Sequence, residues 1–129
     1  MAGSSVTFTD SKQPSGDVHK LTIDWVSDSA TGGASGTTTF AIDGELHKLV
    51  TDPGSPAPDV NYDIVINDEE GLDVLQGVGA NRHTTTSEEA RVVYSGTAVN
   101  PVVADRLTFQ VTNAGNSKQG QAHLYYKVI

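Results

Sequence analysis

The sequence predicts an all-β protein. Its expected form is a single antiparallel β-sandwich, jelly-roll or immunoglobulin-like, of about seven to eight strands with a short N-terminal arm. Three observations point there. Short apolar runs alternate with polar residues at the two-residue period of half-buried strands. Thirteen glycines, with many Thr, Ser, Asn and Asp residues, punctuate those runs at close spacing. Alanine, leucine and glutamate are too sparse to sustain helices. A chain of 129 residues suggests one domain, large enough for a core without disulfides or metals.

Residues 1 to 17 are small and polar and read as the arm; residues 18 to 129 read as the sandwich. Val6 and Phe8 stand two apart, so an extended arm shows both on one side. They are the candidate partner-binding residues, docking the arm on the sheet edge of a neighbour. The first full strand spans Val18 to Val26, with Leu21, Ile23 and Trp25 on one face. Ser27 to Gly36 reads as a flexible connection, Thr37 to Ile42 as a strand, and Asp43-Gly44 as a hairpin turn. In Glu45 to Thr51 the alternation slips, which predicts a bulge or burial on both faces. Pro53, Pro56 and Pro58 make the next stretch a stiff crossover. Tyr62, Ile64 and Ile66 define a strand placed near the centre of a sheet. Asp73 to Gly79 reads as one helical turn or a short strand, and Ala80 to Glu89 as a surface loop. Arg91 to Ser95 and Arg106 to Thr112 are further strands. Asn113 to Gly120 reads as a hairpin loop before a last strand, Gln121 to Val128, with Ala122, Leu124, Tyr126 and Val128 on one face.

Eight basic against sixteen acidic residues give a formal charge of −8, and the basic residues are scattered. That argues against a nucleic-acid surface, which needs clustered Lys and Arg. With no cysteine, thiolate metal sites and disulfides are excluded. The N-terminus lacks a basic and apolar leader, and no apolar run reaches the roughly 20 residues of a membrane helix, so the expectation is a protein made and used without secretion, with no membrane partner.

Candidate chemistry is sparse. Asp68, Glu70 and Asp73, with Glu69, crowd the turn around Gly71; they read as a solvated turn, with calcium ligation as the alternative, since their spacing is not that of an EF-hand. His19, His47, His83 and His123 show no zinc spacing. There is no nucleophile elbow and no complete phosphate or dinucleotide loop. The expectation is therefore a protein with no catalytic residue and no cofactor.

A resemblance adds a functional expectation. It rests on Leu21-Thr22-Ile23-Asp24-Trp25-Val26-Ser27-Asp28, Asp43-Gly44-Glu45-Leu46, Tyr62 to Asp68, Leu72 to Arg82, and Leu107 to Gly115. Together they resemble small β-rich virion structural proteins of tailed bacteriophages. The likeness covers residues 18 to 128 and is one of overall pattern. It implies a capsid decoration, or cement, protein, made in the host cytoplasm and placed on the capsid surface of the virion. The implied partners are the major capsid protein or another virion protein, and further copies of the chain, in trimers. A head–tail, tail or fibre component is the alternative within that class. A calcium-dependent carbohydrate-binding sandwich is the alternative outside it, with Tyr94, Tyr125 and Phe8 as its candidate aromatic contacts.

Overall fold

The computed structural model describes residues 4–14 and 16–128. Its strands are β1 (Ser5–Lys12), β2 (Val18–Val26), β3 (Ala34–Thr37), β4 (Ile42–Pro53), β5 (Asp63–Asn67), β6 (Glu88–Ala90), β7 (Val93–Tyr94), β8 (Thr97–Ala98), β9 (Val102–Asp105), β10 (Thr108–Thr112) and β11 (Gln119–Lys127). Every pairing is antiparallel, and no helix occurs among the described residues. Accordingly, none is long and apolar enough to cross a membrane. The larger sheet runs β1-β2-β11-β4, with β6 and β9 both pairing to β4; the smaller runs β3-β10-β5; β7 and β8 pair only with each other.

One core lies between the sheets. The inward residues of β2, Leu21, Ile23 and Trp25, meet Ile64, Ile66, Phe109 and Val111 of the smaller sheet. Leu46, Leu49, Ala122, Leu124 and Tyr126 join from the larger one. These are the residues the period-2 pattern selects, because side chains alternate strictly between the two faces of a strand. Val128 is the exception: it lies beyond β11 and is 43% exposed.

Several expectations are corrected by pairing that alternation alone does not encode. The segment read as an arm is β1, which pairs with β2 over eight residues from Ser5↔Val26 to Lys12↔His19. The strand of Tyr62, Ile64 and Ile66 is the last of the smaller sheet, not a central one; β10 is central. Its outer edge is covered by the chain that follows, through Val74 N–H to Ile66 O, Ile64 N–H to Gly79 O and Arg82 N–H to Tyr62 O. Asp43-Gly44 is no hairpin turn but lies inside β4, where the Lys127 carbonyl approaches Gly44 too closely for any side chain. Thr37 ends β3, and Phe40 turns outward. Residues 113–118 carry the chain from the small sheet to the large one rather than closing a hairpin. The slip in Glu45 to Thr51 is a bulge: Tyr125 pairs with Lys48 and Tyr126 with Leu46, leaving His47 as the extra residue.

The expected flexible connection is also fixed. Ser27 and Asp28 are 0% and 2% exposed. The Ser27 hydroxyl donates to Gly115 O at 2.6 Å. Asp28 Oδ2 accepts the Thr31 and Ala30 amides at 2.9 and 3.2 Å, and the Thr31 bond above all holds the carboxyl below its ordinary pKa. The eleven strands exceed the expected number because β3 and β6 to β9 are only two to four residues long, too short to show a period.

Candidate functional site

The acidic turn serves the backbone. Asp68 Oδ1 accepts the amides of Glu70 and Leu72 at 2.9 and 3.0 Å. Asp73 Oδ1 accepts those of Ile66 and Leu75 at 3.3 and 3.0 Å, and its Oδ2 accepts that of Gly77 at 2.9 Å. Short carboxylates favour turns because they can bond the chain two to four residues on. Glu69 Oε2 takes the Arg106 amide at 2.9 Å, which ties this turn to the start of β10. Asp68, through Oδ1, and Asp73, through both oxygens, thus accept main-chain donors, while Glu70 is exposed. Among the described residues, no three His, Cys, Asp or Glu side chains gather where a metal ion could be held.

Beside this turn, Thr37, Asn67, Asp68, Glu69, Arg106 and Thr108 line an open groove of about 600 Å³. Arg106 is anchored by its Nε–H to Thr38 O at 2.9 Å, and the Thr37 and Thr108 hydroxyls meet at 2.8 Å. Among the described residues, no aromatic ring lines the groove. The three aromatics suggested for a sugar site do not converge either. Phe8 faces inward from β1, Tyr125 lies on the outer face of β11 beneath the Lys48 ammonium, 5.0 Å from its ring centre, and Tyr94 sits on the β7–β8 hairpin.

Val6 and Phe8, expected to meet a partner, instead pack against the core. They lie over Gly36 of β3, where a Cβ would stand 2.9 Å from Val6 Cβ. Glycine here lets the edges of the two sheets close on each other.

Three of the histidines, His19, His83 and His123, are hydrogen-bonded within the fold. His83 Nδ1 accepts the Thr85 and Thr86 amides. His123 Nδ1 meets the Thr22 hydroxyl at 3.1 Å on the outer face of the large sheet; burial, then Lys20, lowers its pKa. His19 belongs to a cluster that sequence reasoning missed. Its Nδ1 lies 2.8 Å from Asp10 Oδ2, and the Tyr126 hydroxyl donates to Asp10 Oδ1 at 2.7 Å. The His19 and Tyr126 rings stack at 5.1 Å. Burial and the Asp10 carboxylate push the Tyr126 phenol far above its usual pKa. Shared inward parity with Leu21 was the only available signal for His19; Asp10 was hidden in the supposed arm. The three side chains clip β1 to β2 and β11.

Exposed apolar groups lie elsewhere, Val60, Phe40 and Val128 singly and four others in two pairs. Val93 and Tyr94 are 44% and 66% exposed on the hairpin, whose tip turns through Ser95 and Gly96 at φ +50° and +81°. Leu72 and Val102, 66% and 65% exposed, flank a groove of about 330 Å³ beside β9.

The chain matches no family model, no curated protein and no solved structure.

Proposed function

We propose that this chain is a virion structural protein of a tailed bacteriophage, a decoration protein that binds and stabilises the assembled head. The observation that carries the reading is two sets of exposed apolar side chains, Val93 and Tyr94 on the β7–β8 hairpin and Leu72 and Val102 at the groove beside β9. Exposed apolar pairs of this kind would bury their surface on a partner, which is what supports reading them as contact points. The small antiparallel fold and the acidic, cysteine-free composition suit a protein that acts by surface complementarity. The major capsid protein is the proposed partner, with no reaction and no cofactor.

The test is a binding assay with preformed heads. Tyr94→Ser and Val102→Ser change exposed positions, so both variants should melt like the parent while losing attachment to heads. Fractionation of particles separates the alternatives within the class. A decoration protein follows heads at high copy number, whereas a tail or fibre component follows tails at few copies. Full decoration by both variants would remove these pairs as the binding surface.

A further inference from the structure

The larger sheet ends, among the described residues, in a long edge with no backbone partner on its outer side. β1 runs eight residues in unbroken register on β2, with no proline and no bulge. Among the described residues, no main-chain group outside β2 bonds to it. Natural edge strands are normally short, bulged, charged or covered, because free N–H and C=O rows invite another strand. The other edges here follow that rule. β3 and β9 are four residues long and β6 is three. The outer side of β5 is taken by the chain between Leu72 and Arg82.

Charge distinguishes this edge from the opposite side of the sheet, where β4, β6 and β9 lie. Residues 43–105 hold twelve Asp and Glu against three Lys and Arg, whereas residues 5–26 hold three against two. Asp10, the one acid on β1, is bonded by His19 and Tyr126. Two acidic copies therefore approach with least repulsion along β1, their acidic strands β4, β6 and β9 turned outward.

We propose that β1 is a self-association edge: two copies join by antiparallel pairing of β1 with β1 about a two-fold axis, continuing the large sheet across the dimer. The occupant is a second copy because β1 is the one long open edge among the described residues, and an edge that meets its own kind makes an isologous, closed contact. Three-fold closure, which the bacteriophage resemblance implies, needs β1 to meet a different edge of its neighbour, and those edges are short or covered. Opposed residues of an antiparallel pair share a face. Thr7 and Thr9 of one copy then lie beside Thr7 and Thr9 of the other on the outer face, in any register centred between Thr7 and Thr9. The proposal goes beyond the head-binding reading and uses different residues, so either can fail alone.

The experiment is light scattering with size exclusion on the isolated full chain over a micromolar dilution series. The expected mass is twice the 13.6 kDa of the chain. Two variants, Thr7→Lys/Thr9→Lys and Thr7→Glu/Thr9→Glu, alter exposed side chains and should each run as a monomer with an unchanged melting temperature, because like charges then face each other. Mixing the two variants should restore the doubled mass. A monomeric parent at every concentration, a trimer, or charge variants that remain dimeric when alone would each overturn the proposal.

Discussion

Gly120→Ala should destabilise the protein through a single steric clash. Gly120 lies opposite Trp25 in the pairing of β11 with β2, and opposite Pro53 on β4. A Cβ there would stand 2.5 Å from Trp25 Cζ2 and 2.8 Å from Cε2. Carbon pairs settle near 3.5–4.0 Å, so about 1 Å of movement is required. The strand cannot retreat, since it is bonded on both sides. The indole cannot either, since it is 1% exposed and rests against Tyr62 with ring centres 5.7 Å apart. Overpacking of a rigid core costs about 3 kcal/mol at the upper end, and the stiffer unfolded chain of alanine returns about 0.5–1 kcal/mol. The net loss of about 2 kcal/mol corresponds to a fall in melting temperature of roughly 6–10 °C for a domain of this size. Trp25 is the only tryptophan, so its emission reports directly on the site. In a Trp25→Phe background the cost should shrink, because the smaller ring frees the space. An alanine variant that melts with the parent, or an equal cost in both backgrounds, would refute the packing of Trp25 against Gly120.

Other outcomes follow from the same contacts. Phe109, 1% exposed, should cost about 3–5 kcal/mol on truncation to Ala, read by urea denaturation. Deleting the chain through Lys12 should lower the melting temperature, because it removes β1 along with the packing of Val6 and Phe8; an unchanged melt would return this segment to the status of an arm. Asp73→Ala should cost about 1–3 kcal/mol by stranding the Ile66, Leu75 and Gly77 amides, and added calcium should not alter the melting temperature of the parent. The folded-state pKa of Tyr126 is raised by burial and Asp10, so its contribution is complete below pH 10, the ordinary value for tyrosine, and declines above it. The slope approaches about 1.4 kcal/mol per pH unit, and Tyr126→Phe should flatten an alkaline stability profile, leaving the smaller part due to buried Tyr62.

How much was legible in the sequence depends on what kind of information each element carries. β2, β10 and β11 have five to nine residues with one apolar face, and their alternation alone placed Leu21, Ile23, Trp25, Phe109, Val111 and Leu124 in the core. Burial of one face fixes such a strand, since a slip of one residue would turn every apolar side chain to water. The bulge at His47 was visible for the same reason, as a break in the period. Pro56 and Pro58 likewise marked the crossing from β4 to β5, because a locked φ acts within a few residues, whereas Gly44, read as a turn, lies inside β4.

Tertiary structure alone decided which strands are neighbours, and with that the site. Ser5–Lys12 has only two apolar residues, Val6 and Phe8, on its inward face, enough to suggest a short strand at Val6–Thr9 but not its full length; β2 supplies its hydrogen bonds and Gly36 the space beneath it. The Asp10–His19–Tyr126 cluster joins residues up to 116 positions apart, and no local spacing could reveal it. Asp68 and Asp73 read in sequence as part of a solvated acidic turn, and the amides that bond them become neighbours only when the turn closes. Side-chain period is a property of each strand by itself. Edges, clusters and exposed patches belong to the partners a strand finds, and those are set by the long-range packing of the whole chain.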